Sequence, residues 1–375
     1  MSKFLFVTWE GGGNVPPALG IASELEHRGH SVSFLGQGAQ AQLIETAGFE
    51  FEGFRTVPPT HRGMANPDAL RVFAFGVLFS PTMGAEVRER VAALHADAVV
   101  GDALLWGALN EDLGSPVGVL IHLLYRAAYP GIAGMVARIN AVGQADGRPL
   151  VPDPRQIWRR WPLRLVTSIE QFDSPGEAEP GLRYVGPVLD RPVSAALPFE
   201  LDQRPLVLVG FSTAAAQASV ERLQRTLDAL ADLPVQVLAT AGSTDATLLR
   251  APANATVVSS LPHMSVLPHA ALTVTHGGHG TIMASLAHGV PVVVMPGQAA
   301  DQAINGARAE ALGVGRTLPA DAAVDAIRAA AVEVLNTPSF RDKADRMRQL
   351  IARTDARKDA ADALESLLAV TSARS

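Results

Sequence analysis

The feature that most constrains the fold is a strand that runs into a glycine loop and then a helix, found once in each half of the chain. In the first half, an apolar strand at 4–8 leads to three glycines, Asn14, two prolines and a helical pattern at 16–28. In the second half, an apolar strand ends at the sequence THGGHGT, and another helical pattern follows. Strands that alternate with helices over short connections predict parallel sheets. The expected fold class is therefore α/β.

The alternation of strands and helices is found twice, which predicts two domains. A length of 375 residues exceeds what one hydrophobic core ordinarily supports. We expect a first domain over 1–185, a proline-rich linker over 186–204, a second domain over 205–355 and a final helical segment over 356–375. The sequence ALLWGALNEDLG predicts a helix over 103–114. Two stretches interrupt the pattern of the first domain, 55–85 and 122–162. They are expected to be irregular insertions of the kind that often form binding loops.

Composition excludes several kinds of partner and site. The net charge of −6 and the pI near 5.9 argue against nucleic acid or an anionic membrane as a partner. The absence of cysteine rules out disulfides, thiol catalysis and cysteine-bound zinc, and it fits a cytoplasmic location. No stretch is expected to reach the roughly 20 apolar residues of a membrane span.

The first glycine loop, EGGGNVPP, is neither of two common nucleotide motifs. A dinucleotide fingerprint that starts at Gly11 would require glycine where Pro16 stands, and no Lys-Ser/Thr pair follows as in a P-loop. The glycines still let backbone approach a ligand closely. The alternative is a tight strand-to-helix turn that makes no ligand contact.

The second glycine loop predicts an anion site. It brings His276, Gly277 and Gly278 to the start of a helix, where Gly280 and Thr281 follow. Free N–H groups at a positive helix end bind phosphates, and hydroxyl and imidazole donors suit a diphosphate. A simple capped helix is one alternative. A zinc site at His276 and His279 is another, although no third ligand lies nearby in the sequence.

Two other polar pairs follow predicted strands of the second domain. Asp301 and Gln302 begin a helix, where they could contact sugar hydroxyls or where Asp301 could simply cap the helix. Ser212 and Thr213 lie at the end of another strand, a common ligand position in parallel sheets.

Residues 261–315 resemble the donor-binding signature of family 1 glycosyltransferases. The order of Leu-Pro-His, Thr-His-Gly-Gly-x-Gly-Thr, Gly-Val-Pro, Asp-Gln and Gly-x-Gly carries the resemblance. The first glycine loop, the segment ADAVVGD and the segment YVGPV also fit, so the resemblance extends over essentially the whole chain. It is strongest to bacterial enzymes that glycosylate antibiotics and macrolides.

The resemblance implies the GT-B fold, in which two Rossmann-like domains face each other across a cleft. The first domain would bind the acceptor, the second the nucleotide-sugar donor, and the last helix would cross back to the first domain. It implies an inverting enzyme without a metal or other cofactor. Such an enzyme would transfer a sugar or deoxysugar from dTDP or UDP, as co-substrate, to a small hydrophobic acceptor. The donor contacts would be Ser212, Leu261, His276, Gly277, Gly278, Gly280, Thr281, Asp301 and Gln302, and Ser260 stands where many relatives have a tryptophan.

The resemblance also points to an unusual residue at the catalytic position. The family usually has histidine as the general base where this chain has Asn14, whereas Asp102 occupies the place of the aspartate that orients the base. Asparagine cannot accept a proton at neutral pH. The base could be Asp102, His122, His61 or Glu10, with His122 as first choice against the alternative of an ordinary buried histidine. Gly13, Trp106 and Tyr125 are the expected acceptor contacts.

Other functions remain open at this point. The acceptor could need no base, as an acidic phenol or an amine would not. A nucleotide-sugar epimerase or hydrolase of the same fold is one alternative, and a non-catalytic homologue that acts as a partner protein is another. A homodimer is compatible with the family.

Overall fold

The computed structural model describes residues 1–59, 67–122, 124–190, 195–211, 219–297 and 299–372. Contacts divide the chain into two compact units. The N-terminal unit comprises 1–188 together with 354–375, and the C-terminal unit comprises 189–353. The acceptor and donor roles expected of the two domains remain predictions.

The described part of the N-terminal unit contains a seven-stranded parallel sheet in the order β3-β2-β1-β4-β5-β6-β7. The two central strands β4 and β5 are buried along their whole length, as expected for a parallel sheet covered on both faces. The strands are β1 Lys3–Val7, β2 Ser31–Gly36, β3 Glu50–Gly53, β4 Ala98–Asp102, β5 Val117–Ile121, β6 Leu163–Val166 and β7 Leu182–Tyr184. The helices are α1 Val15–His27, α2 Ala41–Thr46, α3 Pro67–Arg71, α4 Met83–Leu94, α5 Trp106–Leu109, α6 Tyr129–Ala145, α7 Pro154–Arg159 and α8 Glu170–Asp173, and a π-helix covers Val72–Leu78.

The described part of the C-terminal unit has a six-stranded parallel sheet in the order β10-β9-β8-β11-β12-β13. Its strands are β8 Leu206–Gly210, β9 Gln236–Thr240, β10 Ala255–Val258, β11 Ala270–Thr275, β12 Val292–Val294 and β13 Gly315–Thr317. Its helices are α9 Val220–Leu230, α10 His263–Val266, α11 His279–Ala287, α12 Ala300–Ala311, α13 Val324–Asn336 and α14 Pro338–Ile351. Two Rossmann-like sheets confirm the predicted fold class.

In both sheets the order of strand addition reverses beside the first strand, and this switch point positions the site. The chain adds β2 and β3 on one side of β1 and then returns to place β4 on the other side. In the second sheet, β9 and β10 lie on one side of β8, and β11 lies on the other. Ligands of open parallel sheets bind beyond the carboxyl ends of the strands at such a switch point. The loops after β1 and β4, and those after β8 and β11, are therefore the places to look for function.

The last helix, α15 Ala356–Ser372, belongs to the N-terminal unit. Ala360, Ala361 and Leu364 are buried in the same core as Phe4 and Ile21. At the margin of this packing, Arg28 at the end of α1 pairs with Asp362 at 2.6 Å and with Glu365 at 2.9 Å. The helix thus completes the face of the first sheet that α1 begins.

Two expectations about the insertions and one about helix length were wrong. Residues 129–145 form the regular helix α6, although Gly131, Gly134 and Gly143 weaken the helical signal there. Residues 67–94 are mostly helical as well. The predicted helix over 103–114 is a single turn, α5, because Gly107 packs against the Ser80 backbone and Gly114 adopts a positive φ of 71°.

The stretch Asp68–Leu94 is, by length and composition, long and apolar enough to cross a membrane, contrary to expectation. Over half of its most apolar 18 residues are buried inside the protein. The helical structure is also interrupted at 79–82, and Glu86 on α4 accepts hydrogen bonds from the backbone of Arg55 and Thr56 at 2.8 and 3.0 Å. A buried core helix passes the same test of length and composition.

Candidate functional site

Asn14 and Asp102 meet at the switch point of the first sheet. Asn14 lies at the start of α1 and is 2% exposed. Its Nδ2 donates to Asp102 Oδ2 at 2.9 Å and to the Trp9 carbonyl oxygen at 2.9 Å. Its Oδ1 is buried and has no hydrogen-bond partner among the described residues. The loop after β1 and the end of β4 are therefore joined by a neutral amide.

Asp102 also lies beside His122, which follows β5. The Leu104 N–H donates to Asp102 Oδ1 at 2.9 Å, so both carboxylate oxygens are held. His122 Nδ1 lies 3.4 Å from Asp102 Oδ2 and makes no hydrogen bond to a described residue. The two side chains are 9% and 3% exposed. The structure thus brings Asn14, Asp102 and His122 together, as an amide, a carboxylate and an imidazole at three neighbouring strand ends.

The three glycines of the first loop are all exposed, and two of them are also constrained by the turn. A Cβ built on Gly11 would lie 2.8 Å from Asn14 Oδ1 and 2.8 Å from Trp9 Cζ2. Gly12 adopts a φ of +84°, which disfavours other residues. Gly13 is exposed and has open space where a Cβ would stand. All three glycines are accessible to a ligand, while Gly11 and Gly12 are also required by the turn and Gly13 is not.

The two aromatic acceptor contacts that we expected are buried. Tyr125 is 0% exposed, its hydroxyl donates to Glu179 Oε2 at 2.9 Å, and its ring packs on Trp158. Burial raises the pKa of Tyr125, with the hydrogen bond to Glu179 acting in the same direction. Direct contact of Tyr125 with an acceptor is therefore not supported, because its ring is buried and its hydroxyl already has a hydrogen-bond partner.

Trp106 is also 0% exposed, and its ring centroid lies 4.9 Å from that of Phe79. Its Nε1–H, like that of the largely buried Trp9, has no hydrogen-bond partner among the described residues. Trp9 in turn lies 5.6 Å from Phe73 on the π-helix, ring centroid to ring centroid. Unpartnered buried donors are rare and call for an explanation. Direct contact of Trp106 with an acceptor is not supported either, because its ring and its Nε1 are buried.

His276 follows β11 at the switch point of the second sheet and is half-buried. Burial lowers its pKa from 6.5 to about 4, and the positive charges of Arg222 and of protonated His263 act in the same direction. The Gly210 backbone acts in the opposite direction. His276 is therefore a neutral imidazole at physiological pH.

Two basic side chains beside His276 were not predicted. Arg222 on α9 is 5% exposed; its guanidinium lies 4.6 Å from the Phe211 ring centroid, and its Nη1 donates to the Met295 carbonyl at 3.4 Å. Burial lowers the pKa of Arg222. Burial also lowers the pKa of His263, whose Nε2 lies 3.0 Å from Thr240 Oγ1. The sequence does contain a signal for Arg222, since this arginine lies on the otherwise apolar face of a helix, but it was not predicted to be part of the site.

The backbone of the second glycine loop is tightly specified. Gly277 has a φ of +89°, and a Cβ there would lie 2.7 Å from Val294 Cγ1 and 2.9 Å from the Gln302 carbonyl oxygen. Asn305 Nδ2 donates to the Gly277 carbonyl at 2.9 Å, a contact that the sequence did not suggest. A Cβ on Gly278 would lie 2.7 Å from His276 Nε2, whereas Gly280 faces open space. The loop thus leads into the nine-residue helix α11, whose first turn contains Gly280 and Thr281.

The remaining predicted donor contacts differ in how exposed they are. Asp301 is half-buried in the first turn of α12. Gln302 is 3% exposed, and its Oε1 accepts from the Gly297 N–H at 2.7 Å, which holds the loop before α12. Leu261 packs partly against a small core cluster. Ser212, Thr213 and His61 lie outside the described residues.

The alternative of a zinc site at His276 and His279 gains no support. Within the part of the chain that the structure describes, three or more His, Cys, Asp or Glu side chains nowhere come together as metal ligands. What the loop offers instead is a helix N-terminus with neutral and cationic nitrogen donors, a set suited to phosphate oxygens.

The chain is similar to known proteins over most of its length. Residues 224–367 match the family model of the erythromycin biosynthesis protein CIII-like C-terminal domain. The chain is 29% identical to 4'-demethylrebeccamycin synthase of Lentzea aerocolonigenes, over 95% of this chain and 97% of that protein. It is 25% identical to UDP-glucosyltransferase B1 of Starmerella bombicola, over 88% and 90%.

Among solved structures, the chain resembles CalG4, the calicheamicin glycosyltransferase. The TM-score is 0.78 at 23% sequence identity, and the match covers 98% of each chain. Two parallel sheets with the same order around a switch point, the family match and these relatives lead to one conclusion. Residues 224–367 are similar to the EryCIII-like C-terminal domain, and the protein is a glycosyltransferase with the GT-B fold.

Proposed function

We propose that the protein transfers a sugar from a nucleoside diphosphate to a small hydrophobic natural product, with inversion at the anomeric carbon and without a metal. The observation that carries this proposal is the loop 276–281. It combines a helix N-terminus, a neutral imidazole and a buried guanidinium at the switch point of the second sheet.

The donor diphosphate would bind at the start of α11. The backbone N–H groups of its first turn and the Thr281 hydroxyl are donors for phosphate oxygens. His276 adds a neutral N–H donor, and Arg222 adds positive charge. Such a set can hold a diphosphate through several hydrogen bonds and one positive charge, which is the basis for proposing metal independence. Leu261 would lie against the base, and Asp301 and Gln302 would contact the sugar.

The acceptor would bind to the N-terminal unit. The exposed Gly13 lies beside Asn14 in the loop beyond β1, and Asn14 contacts Asp102 at the end of β4. The names of the relatives, rebeccamycin and calicheamicin among them, agree with a natural product as acceptor.

The reaction would be a single displacement. The acceptor oxygen forms a bond to the anomeric carbon while the bond from that carbon to the phosphate oxygen breaks. The nucleoside diphosphate leaves with the bonding electrons, and the acceptor proton passes to a base. Attack opposite to the leaving group inverts the configuration at this carbon.

A screen of the purified protein tests the proposal. UDP- and dTDP-linked sugars and deoxysugars are each combined with aromatic and macrolide acceptors, with and without EDTA, and products are followed by mass spectrometry. We expect a glycoside of one added sugar, an inverted anomeric configuration by proton NMR coupling, and no effect of EDTA. Free sugar or an epimerised donor as sole product would show a hydrolase or an epimerase, and nucleotide binding without turnover would show a partner protein, which Asn14 would favour.

Two further parts of the proposal concern context. A cytoplasmic location agrees with the absence of cysteine and with a nucleotide-sugar donor. Neither nucleic acid nor membrane is proposed as a partner. A homodimer is an alternative to a monomer, and light scattering of the purified protein distinguishes them.

A further inference from the structure

The usual position of the base is occupied by an amide, yet the carboxylate that would orient a base is intact. Asn14 Nδ2 donates to Asp102 Oδ2 at 2.9 Å, which is the bond that a ring N–H of a histidine at this position would make. Asn14 therefore keeps the carboxylate in place without being able to take a proton.

A second group stands ready at the same carboxylate oxygen. His122 Nδ1 lies 3.4 Å from Asp102 Oδ2 and has no other partner among the described residues. This distance is slightly long for a hydrogen bond, but catalytic hydrogen bonds are often long before substrate binds and shorten in the complex. The imidazole ring is also more exposed, at 9%, than the Asn14 side chain at 2%.

The charge of the cluster favours a base at this place. Asp102 is 3% exposed, and its two oxygens accept from neutral donors, the Asn14 amide and the Leu104 backbone. A buried carboxylate without a cation is costly, so a positive charge that develops 3.4 Å away is stabilised. Among the described residues, Asp102 is the acidic side chain within 4 Å of the His122 ring.

We propose that His122 is the general base of this glycosyltransferase, with Asp102 as its orienting carboxylate and Asn14 as a positioning residue. This rests on the proposed function. His122 Nε2 takes the acceptor proton as the acceptor oxygen bonds to the anomeric carbon and the phosphate oxygen departs. The Nδ1–H of the resulting imidazolium is held by Asp102 Oδ2, and the proton leaves to solvent after product release. The base has thus moved from the loop after β1 to the end of β5.

The test compares His122→Gln with wild type on two acceptors, an aliphatic alcohol and a nitrophenol. The loss of a positioned base costs about 10²–10⁴ in kcat, so we expect a loss of that size with the alcohol. The loss should be much smaller with the nitrophenol, whose proton is already acidic. In the wild type, kcat should fall at low pH. This fall should be lost in His122→Gln and kept in Asn14→Ala, because Asn14→Ala only loosens Asp102. His27→Gln, on an exposed histidine at the end of α1, should behave as wild type.

Equal losses on both acceptors, an unchanged kcat in His122→Gln, or a fall of kcat at low pH removed by Asn14→Ala instead would each overturn the assignment. Affinity for UDP or dTDP, measured by calorimetry, should be the same in all variants. Failure of the proposed function shows in the wild type, which would then form no glycoside. Failure of the base assignment shows only in the variants of an active enzyme.

Discussion

The loops around Asp102 in the N-terminal unit and around His276 in the C-terminal unit stand at the same place in two sheets of like strand order, yet they differ in charge. The first centres on a buried carboxylate with an amide and an imidazole beside it. The second centres on a neutral imidazole with Arg222 and His263 nearby. Under the proposed function, one scaffold would support a site that handles a proton and a site that binds an anion, and side chains at the strand ends would decide which.

The largest effect that would sharpen this contrast is expected from Asp102→Asn. The amide still accepts from Leu104 but no longer stabilises a positive imidazole, so turnover should fall about 10²- to 10⁴-fold. Affinity for the nucleoside diphosphate, measured by calorimetry, should not change. A parallel loss of nucleotide affinity would mean that the two sites do not divide the work as described.

The next effect concerns the backbone of the anion site. Gly277→Ala places a Cβ at a φ of +89° and against Val294 and the Gln302 carbonyl, so we expect a loss of about 1–3 kcal/mol in the free energy of unfolding. Gly280→Ala is the matched control for stability, because open space surrounds a Cβ there. Urea unfolding of both variants measures the difference. Equal stabilities would contradict the assigned role of Gly277.

His276→Ala tests the anion site directly. It removes one N–H donor to a charged diphosphate, a contact worth about 1.5–3 kcal/mol, so the Kd for UDP or dTDP should rise roughly ten- to hundredfold. The fall of kcat at low pH should remain in this variant, because we attribute it to the site around Asp102. An unchanged Kd would remove His276 from the donor site.

The smallest effect is a dependence of stability on pH. The folded-state pKa of His276, about 4, lies below its ordinary 6.5, so the unfolded chain binds the proton first. Stability is then present above pH 6.5 and lost as the pH falls toward 4. Between pH 7 and 5, wild type should lose roughly 1–2 kcal/mol more than His276→Gln, as measured by urea unfolding. Identical losses would show that His276 titrates normally.

The sequence predicted the order of strands and helices better than the contacts of individual side chains. Periodicity and glycine loops are local, and they correctly placed β1 and β11 and the helices after them. The helix α6 was missed because its glycines weaken a local signal that packing overrides.

The sites show the same division. The closeness of Asn14, Asp102 and His122 depends on three neighbouring strands, and only the family pattern pointed to it. Tyr125 was expected at the acceptor because it is aromatic and lies in an insertion, but its hydroxyl pairs with Glu179, which is 54 residues away. Asn305, which holds Gly277, gave no signal in the sequence beyond its position one helical turn after Asp301.

The path of the chain has a consequence for biosynthesis. The N-terminal unit is assembled from 1–188 and 354–375, so synthesis from the N-terminus delivers all seven of its strands before α15 exists. Until then, the apolar surface that Ala360, Ala361 and Leu364 cover is exposed to solvent and to other nascent chains. The C-terminal unit, continuous over 189–353, meanwhile has every segment that it needs. The N-terminal unit therefore begins to leave the ribosome first, but the C-terminal unit is the first whose chain is complete.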